Sequence, residues 1–150
     1  MKRLFSILLV CIILFSTTPF HAHATNVNSQ AEYFDDGSYL IVEVDVHSTR
    51  MLTKVGNKTA TYYSADNEIQ WKMFITGEFL YDGATVTCTY ASGTTTIYKT
   101  SLWRKVSDNT VYSGNTATYT TTFDSLFMGV TVEQGSYSLH ITCDENGNIS

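Results

Sequence analysis

Proline is almost missing from this chain: there is one, Pro19, so downstream of it no ring removes a donor from a strand ladder. Basic residues are scarce as well, nine against fourteen acidic, and two of the nine, Lys2 and Arg3, sit at the very start. Without those two the net charge is −7, and no basic cluster remains to hold a phosphate backbone or an anionic headgroup. Nucleic acid and membrane surfaces are therefore not expected partners. Histidine occurs only at His21, His23, His47 and His140, and cysteine only at Cys11, Cys88 and Cys143. No apolar run reaches the roughly 20 residues that a membrane-spanning helix needs.

What is present at the start is a short address. Lys2 and Arg3 precede an apolar run over residues 4–15, and Ala22 and Ala24 supply the small residues that a signal peptidase reads. Residues 1–24 are expected to be a secretory signal peptide, 25–31 a disordered start and 32–150 a single extracellular β domain. Cys11 follows Val10 inside the apolar run, which is not the context of lipid attachment. Cys88 and Cys143 then form an even pair in an exported chain, and a disulfide is expected between them. Closing a loop of that length stabilises a fold by roughly 4 kcal/mol.

All nine glycines fall between segments rich in Thr, Tyr, Val and Ile, which suit a pleated, half-buried surface. The alternation predicts strands over 38–47, 59–64, 69–81, 84–90, 95–106, up to 123, and 131–143, with a polar loop over 48–57. Leu40, Val42, Val44 and Val46 share one face of the first, and Ile69, Trp71, Met73 and Ile75 one face of the third. Gly77 reads as a bulge, Asp82-Gly83 as a two-residue hairpin, and 65–68, 91–93 and 107–110 as turns, followed by a link over 124–129. The result is an all-β antiparallel meander of about seven or eight strands. Both cysteines take inward positions, and a flat meander would hold them too far apart to join. The sheet is therefore expected to close as a sandwich or small barrel.

Few constellations carry chemistry. Glu43, Asp45 and His47 alternate on one strand, about 6.7 Å apart along it, too widely spaced for one ion, so they read as a solvated polar face. Residues 144–148, Asp-Glu-Asn-Gly-Asn, read as a terminal turn rather than a calcium loop. His47 and His140 lie on polar faces with no glycine-rich nucleophile elbow beside them. No catalytic residue, metal or cofactor is assigned. Two outward threonine rows, Thr85-Thr87-Thr89 and Thr116-Thr118-Thr120-Thr122, offer a flat hydroxyl array, the second being the candidate ligand surface. Tyr62, Tyr63, Trp71, Tyr81, Tyr90, Tyr98, Trp103, Tyr112 and Tyr119 supply aromatic rings, roughly two-thirds of them expected in the core.

The order Cys88, Trp103, Cys143 resembles that of an immunoglobulin domain, although Ile141 stands where a corner tyrosine would precede the second cysteine. A wider resemblance is carried by Tyr33-Phe34-Asp35-Asp36-Gly37-Ser38-Tyr39, by Gly114-Asn115-Thr116-Ala117-Thr118 and by the ending from Ile141 to Ser150. With these the chain resembles a group of small exported proteins of gut-type Gram-positive bacteria. That resemblance implies export and β structure and transfers no mechanism. The expected function is a non-catalytic extracellular module that binds a glycan or a protein partner. A secreted hydrolase using the turn carboxylates Asp35, Asp36, Asp66, Asp82 and Asp108 is the alternative, and a toxin, inhibitor or immunity factor is a third.

Overall fold

The computed structural model describes residues 28–50 and 52–150; the expected signal peptide lies outside them. Among the described residues eight antiparallel strands follow one another without a helix: β1 (Asn28–Tyr33), β2 (Tyr39–Arg50), β3 (Thr53–Tyr63), β4 (Ile69–Tyr81), β5 (Val86–Ile97), β6 (Trp103–Ser113), β7 (Thr116–Phe127) and β8 (Val130–Thr142). They form a five-stranded sheet in the order β1-β2-β3-β4-β5 and a three-stranded sheet in the order β6-β7-β8. Residues 98–102 carry the chain from one to the other. The two sheets face each other as a sandwich and do not close into a barrel.

Three turns share one design. In residues 34–38, 64–68 and 144–148 the first amide bonds the carbonyl of the fifth residue, and the fourth amide bonds the carbonyl of the first. The fourth residue is Gly37, Asn67 or Gly147, each with positive φ, as a three-residue hairpin loop requires. Asp36 and Asp144 cap their own turns by accepting backbone N–H groups. Asp82 does the same in a loop of four residues, since Tyr81 pairs with Val86, so Asp82-Gly83 is not the two-residue hairpin the dipeptide predicts.

The alternating rows meet between the sheets. Leu40, Ala60, Trp71, Met73, Ile75, Phe79 and Cys88 from the larger sheet bury against Ala117, Tyr119, Phe123, Leu139, Ile141 and Cys143 from the smaller. Tyr119 ties the layers together: its ring lies over Gly93 of β5, and its hydroxyl bonds Thr95 and donates to Asp108, both at 2.9 Å. Burial of this surface is the main favourable term in such a fold.

Three expectations are corrected. Residues 28–31 are not a disordered start; they form β1 and pair with β2 from Val44 to Ile41. The expected loop over 48–57 is mostly strand, because Gly56 of β3 is packed against by Ile141 and Ile149, a contact that needs the missing Cβ. The expected disulfide is not made. Cys88 and Cys143 are both free and buried, with the Cys88 thiol directed to the Tyr90 carbonyl at 3.3 Å and the Cys143 thiol to the Asp144 carbonyl at 3.5 Å. The backbones do converge, since the amides of Cys88 and Cys143 donate to the neighbouring carbonyls of Gly114 and Asn115. Closure of the sandwich thus comes from apolar packing and not from a covalent link. Burial raises both thiol pKa values, so neither is an activated nucleophile.

Candidate functional site

The sandwich is unequal, and the inequality makes a groove. β8 lies over β3 and β4, and β7 over β4 and β5, so the inner faces of β1 and β2 extend past the edge of the smaller sheet. The inward row of β2, Val42 and Val44, is only half-buried there and forms an apolar floor. Register sets Asn28 opposite Val44 and Gln30 opposite Val42, with Glu32 opposite Leu40, so the inner row of β1 is entirely polar. The far wall is β8, from Tyr137 to His140. The space enclosed is about 550 Å³.

Two further recesses join it. One of about 370 Å³ shares Asn28, Val44 and Ser150 and runs on past Val46 and Lys54. The other, of about 200 Å³, shares Tyr137 and is walled by Trp71, Trp103 and Phe123, with Glu133 at its rim. Here Trp71 stacks on Tyr62 and Phe123 at 5.1 and 4.7 Å between ring centroids, and Trp103 meets Trp71 edge-on. An aromatic recess and a lysine-bearing recess therefore adjoin the polar groove through shared lining residues.

The polar groups in the groove are uncommitted. Among the described residues the side chains of Asn28, Gln30 and Glu32 have no hydrogen-bond partner, and neither does the Tyr137 hydroxyl. Lys58 reaches across from β3 and donates one hydrogen bond to the His140 carbonyl at 3.0 Å, which leaves two of its three N–H groups free. Burial lowers the Lys58 pKa, and burial, then the charge of Glu32, raises that of Tyr137. Tyr137 accordingly remains a neutral phenol that can donate.

The sequence-derived candidates stand elsewhere. Thr116, Thr118, Thr120 and Thr122 do form one row on the outer face of β7, but their hydroxyls are spent locally. Thr118 bonds His140 Nδ1 at 3.0 Å, Thr120 and Thr122 bond Ser138 and Ser136 at 2.8 Å, and Thr116 donates to Asn115. The bonds of Thr118, Thr120 and Thr122 are cross-strand pairs that stabilise a sheet. Three of the five turn carboxylates are likewise occupied: Asp36 and Asp82 by their turns, Asp108 by Lys105 and Tyr119. Asp45 and His47 pair with each other at 2.8 Å on the outer face of the larger sheet, with Glu43 on the same row. The aromatic set divides: Trp71 and Tyr119 are buried, Tyr62 and Trp103 pack on the core, and Tyr90, Tyr98 and Tyr112 are about half exposed.

One outer-face cluster is structural. Asp124 is 3 % exposed, covered by Arg104, Thr131 and Gln134, all of which donate to its carboxylate. These bonds, Gln134 and Arg104 foremost, hold its pKa below the usual carboxylate range; Asp36, Asp82, Asp108 and Asp144 are lowered in the same sense. A carboxylate whose pKa falls on folding stabilises the fold above its unfolded value, near 4, and that stabilisation is lost as pH falls through the lower, folded value. The melting temperature should therefore hold level through neutral pH and drop below about pH 4. Asp124→Asn should melt lower at pH 7 and show a shallower acid limb in thermal scans across pH. An unchanged acid limb would remove Asp124 from this role.

No protein-family model matches the chain, and neither a curated protein nor a solved structure does, so what the groove binds rests on the groove's own residues.

Proposed function

We propose that the protein is an exported, non-catalytic module that binds an oligosaccharide in the groove between β1 and β8. The single observation that carries this reading is the row of unpartnered Asn28, Gln30 and Glu32 side chains over a valine floor, with an aromatic recess at one end. A sugar presents apolar ring faces and rows of hydroxyls. Amide and carboxylate side chains spaced two residues apart, about 6.7 Å, meet hydroxyls on successive rings, while Tyr137 and Trp103 offer apolar surface to ring C–H groups. The export half of the reading comes from the signal peptide expected over residues 1–24.

Hydrolysis is not favoured by this geometry. A glycosidase works with two carboxyl side chains across the scissile bond, and Glu32 is the one carboxylate side chain among the residues lining the main groove. The test is a direct comparison of two surfaces in a glycan-binding assay. Asn28→Ala with Gln30→Ala removes two hydrogen-bonding groups and should weaken binding about tenfold or more. Thr118→Val with Thr120→Val, on the outer face, should leave it unchanged. Loss of binding in the threonine pair and not in the groove pair would place the site on the outer sheet.

A further inference from the structure

Lys58 is the feature of the groove that a neutral sugar leaves unused. The ion pairs among the described residues join Arg104 to Asp124, Lys105 to Asp108, Lys99 to Glu68 and His47 to Asp45. Lys58 belongs to none of them, although its ammonium is drawn into the groove and tethered by a single bond to the His140 carbonyl. A half-buried cation without an anion is unfavourable, and a bound carboxylate offsets that cost. Register supplies a second donor. Asn28, Val44 and Lys58 stand on one cross-strand row, so the Asn28 amide and the Lys58 ammonium flank the same apolar patch from strands two apart.

Side-chain charge is also ordered along the groove. Lys54 lines the recess that continues past Lys58, whereas Glu32 lies four residues along β1 from Asn28, about 13 Å away, toward the aromatic recess. An anion is therefore attracted to the Lys58 end and repelled from the Glu32 end. We infer that the oligosaccharide carries a uronic acid, whose carboxylate sits between Lys58 and Asn28 while the neighbouring ring runs toward Tyr137. This inference rests on the groove reading and adds the class of sugar and its direction.

The probes are uronic acid oligomers of galacturonate, glucuronate and mannuronate, each beside its methyl ester, which keeps the skeleton and removes the charge. Titration calorimetry at physiological salt should show at least one acid bound about tenfold or more tighter than its ester. Lys58→Gln should bind the two forms equally, and its circular dichroism should match the parent. Equal affinity of the parent for acid and ester, or a preference untouched by Lys58→Gln, overturns the inference and leaves the groove reading standing. Equal binding of a sulfated oligosaccharide would also overturn it, by showing a general anion site. If no oligosaccharide binds at all, acid or neutral, both fall.

Discussion

Gly93→Ala should destabilise the protein by about 3 kcal/mol, an effect far out of proportion to one methyl group. A Cβ at this position would stand 2.2 Å from ring carbons of Tyr119, which is 1 % exposed and cannot swing into solvent. Its hydroxyl is held at the same time by Thr95 on β5 and Asp108 on β6. Relief requires that the two sheets separate or that the ring leave its bonds. Tyr119→Ala alone should cost about 3 to 5 kcal/mol, through the lost ring. The double variant distinguishes a steric cause from a loss of strand propensity. Because the clash vanishes with the ring, the pair should be less destabilised than the two singles together, by about 1 kcal/mol or more. Urea unfolding of the four proteins measures this, and strict additivity would contradict the account.

Trp71 is the second position of large effect. It is 6 % exposed and contacts Tyr62, Trp103, Phe123 and Tyr137, so it joins β3, β4, β6, β7 and β8 in one aromatic cluster. Trp71→Ala should cost about 3 to 5 kcal/mol and open the small recess beside the groove. Trp71→Phe should cost much less, about 1 to 2 kcal/mol. It keeps a ring between Tyr62 and Phe123, and it deletes an indole N–H that is buried without a hydrogen-bond partner. Chemical denaturation of both variants checks the order. A phenylalanine as damaging as alanine would mean that the indole makes an interaction the packing does not reveal.

The strands legible from sequence are those whose alternation is strict on a buried face. Leu40, Val42 and Val44, and Trp71, Met73 and Ile75, each take one face of a strand as their spacing predicts, and β4 has the expected bounds. The misread segments are those where turn-forming residues sit inside strands for reasons set elsewhere in the chain. Ala91-Ser92-Gly93 continues β5, since Gly93 is the space for the Tyr119 ring. Residues 107–110 continue β6, an edge strand with mostly exposed side chains, where polar residues cost little. The reversal between β7 and β8 is a two-residue turn at Met128-Gly129, and a methionine at positive φ carries no turn signal.

The candidate site was hidden for a related reason. Asn28, Gln30 and Glu32 alternate with Ser29, Ala31 and Tyr33, so neither face of β1 is apolar enough to declare a strand. The groove exists only because the larger sheet outruns the smaller one, and strand pairing of that kind is not written in any single segment. The threonine row on β7 was the more visible feature, yet cross-strand bonding to Ser136, Ser138 and His140 already explains it.

The most direct test of the groove reading is backbone chemical-shift mapping on labelled protein titrated with the tightest-binding oligosaccharide. Perturbed amides should cluster at residues 28–32 of β1, 42–44 of β2 and 137–140 of β8, with the Trp103 indole signal moving at the aromatic end. Shifts confined to β6 and to the outer row of β7, with β1 silent, would contradict the account.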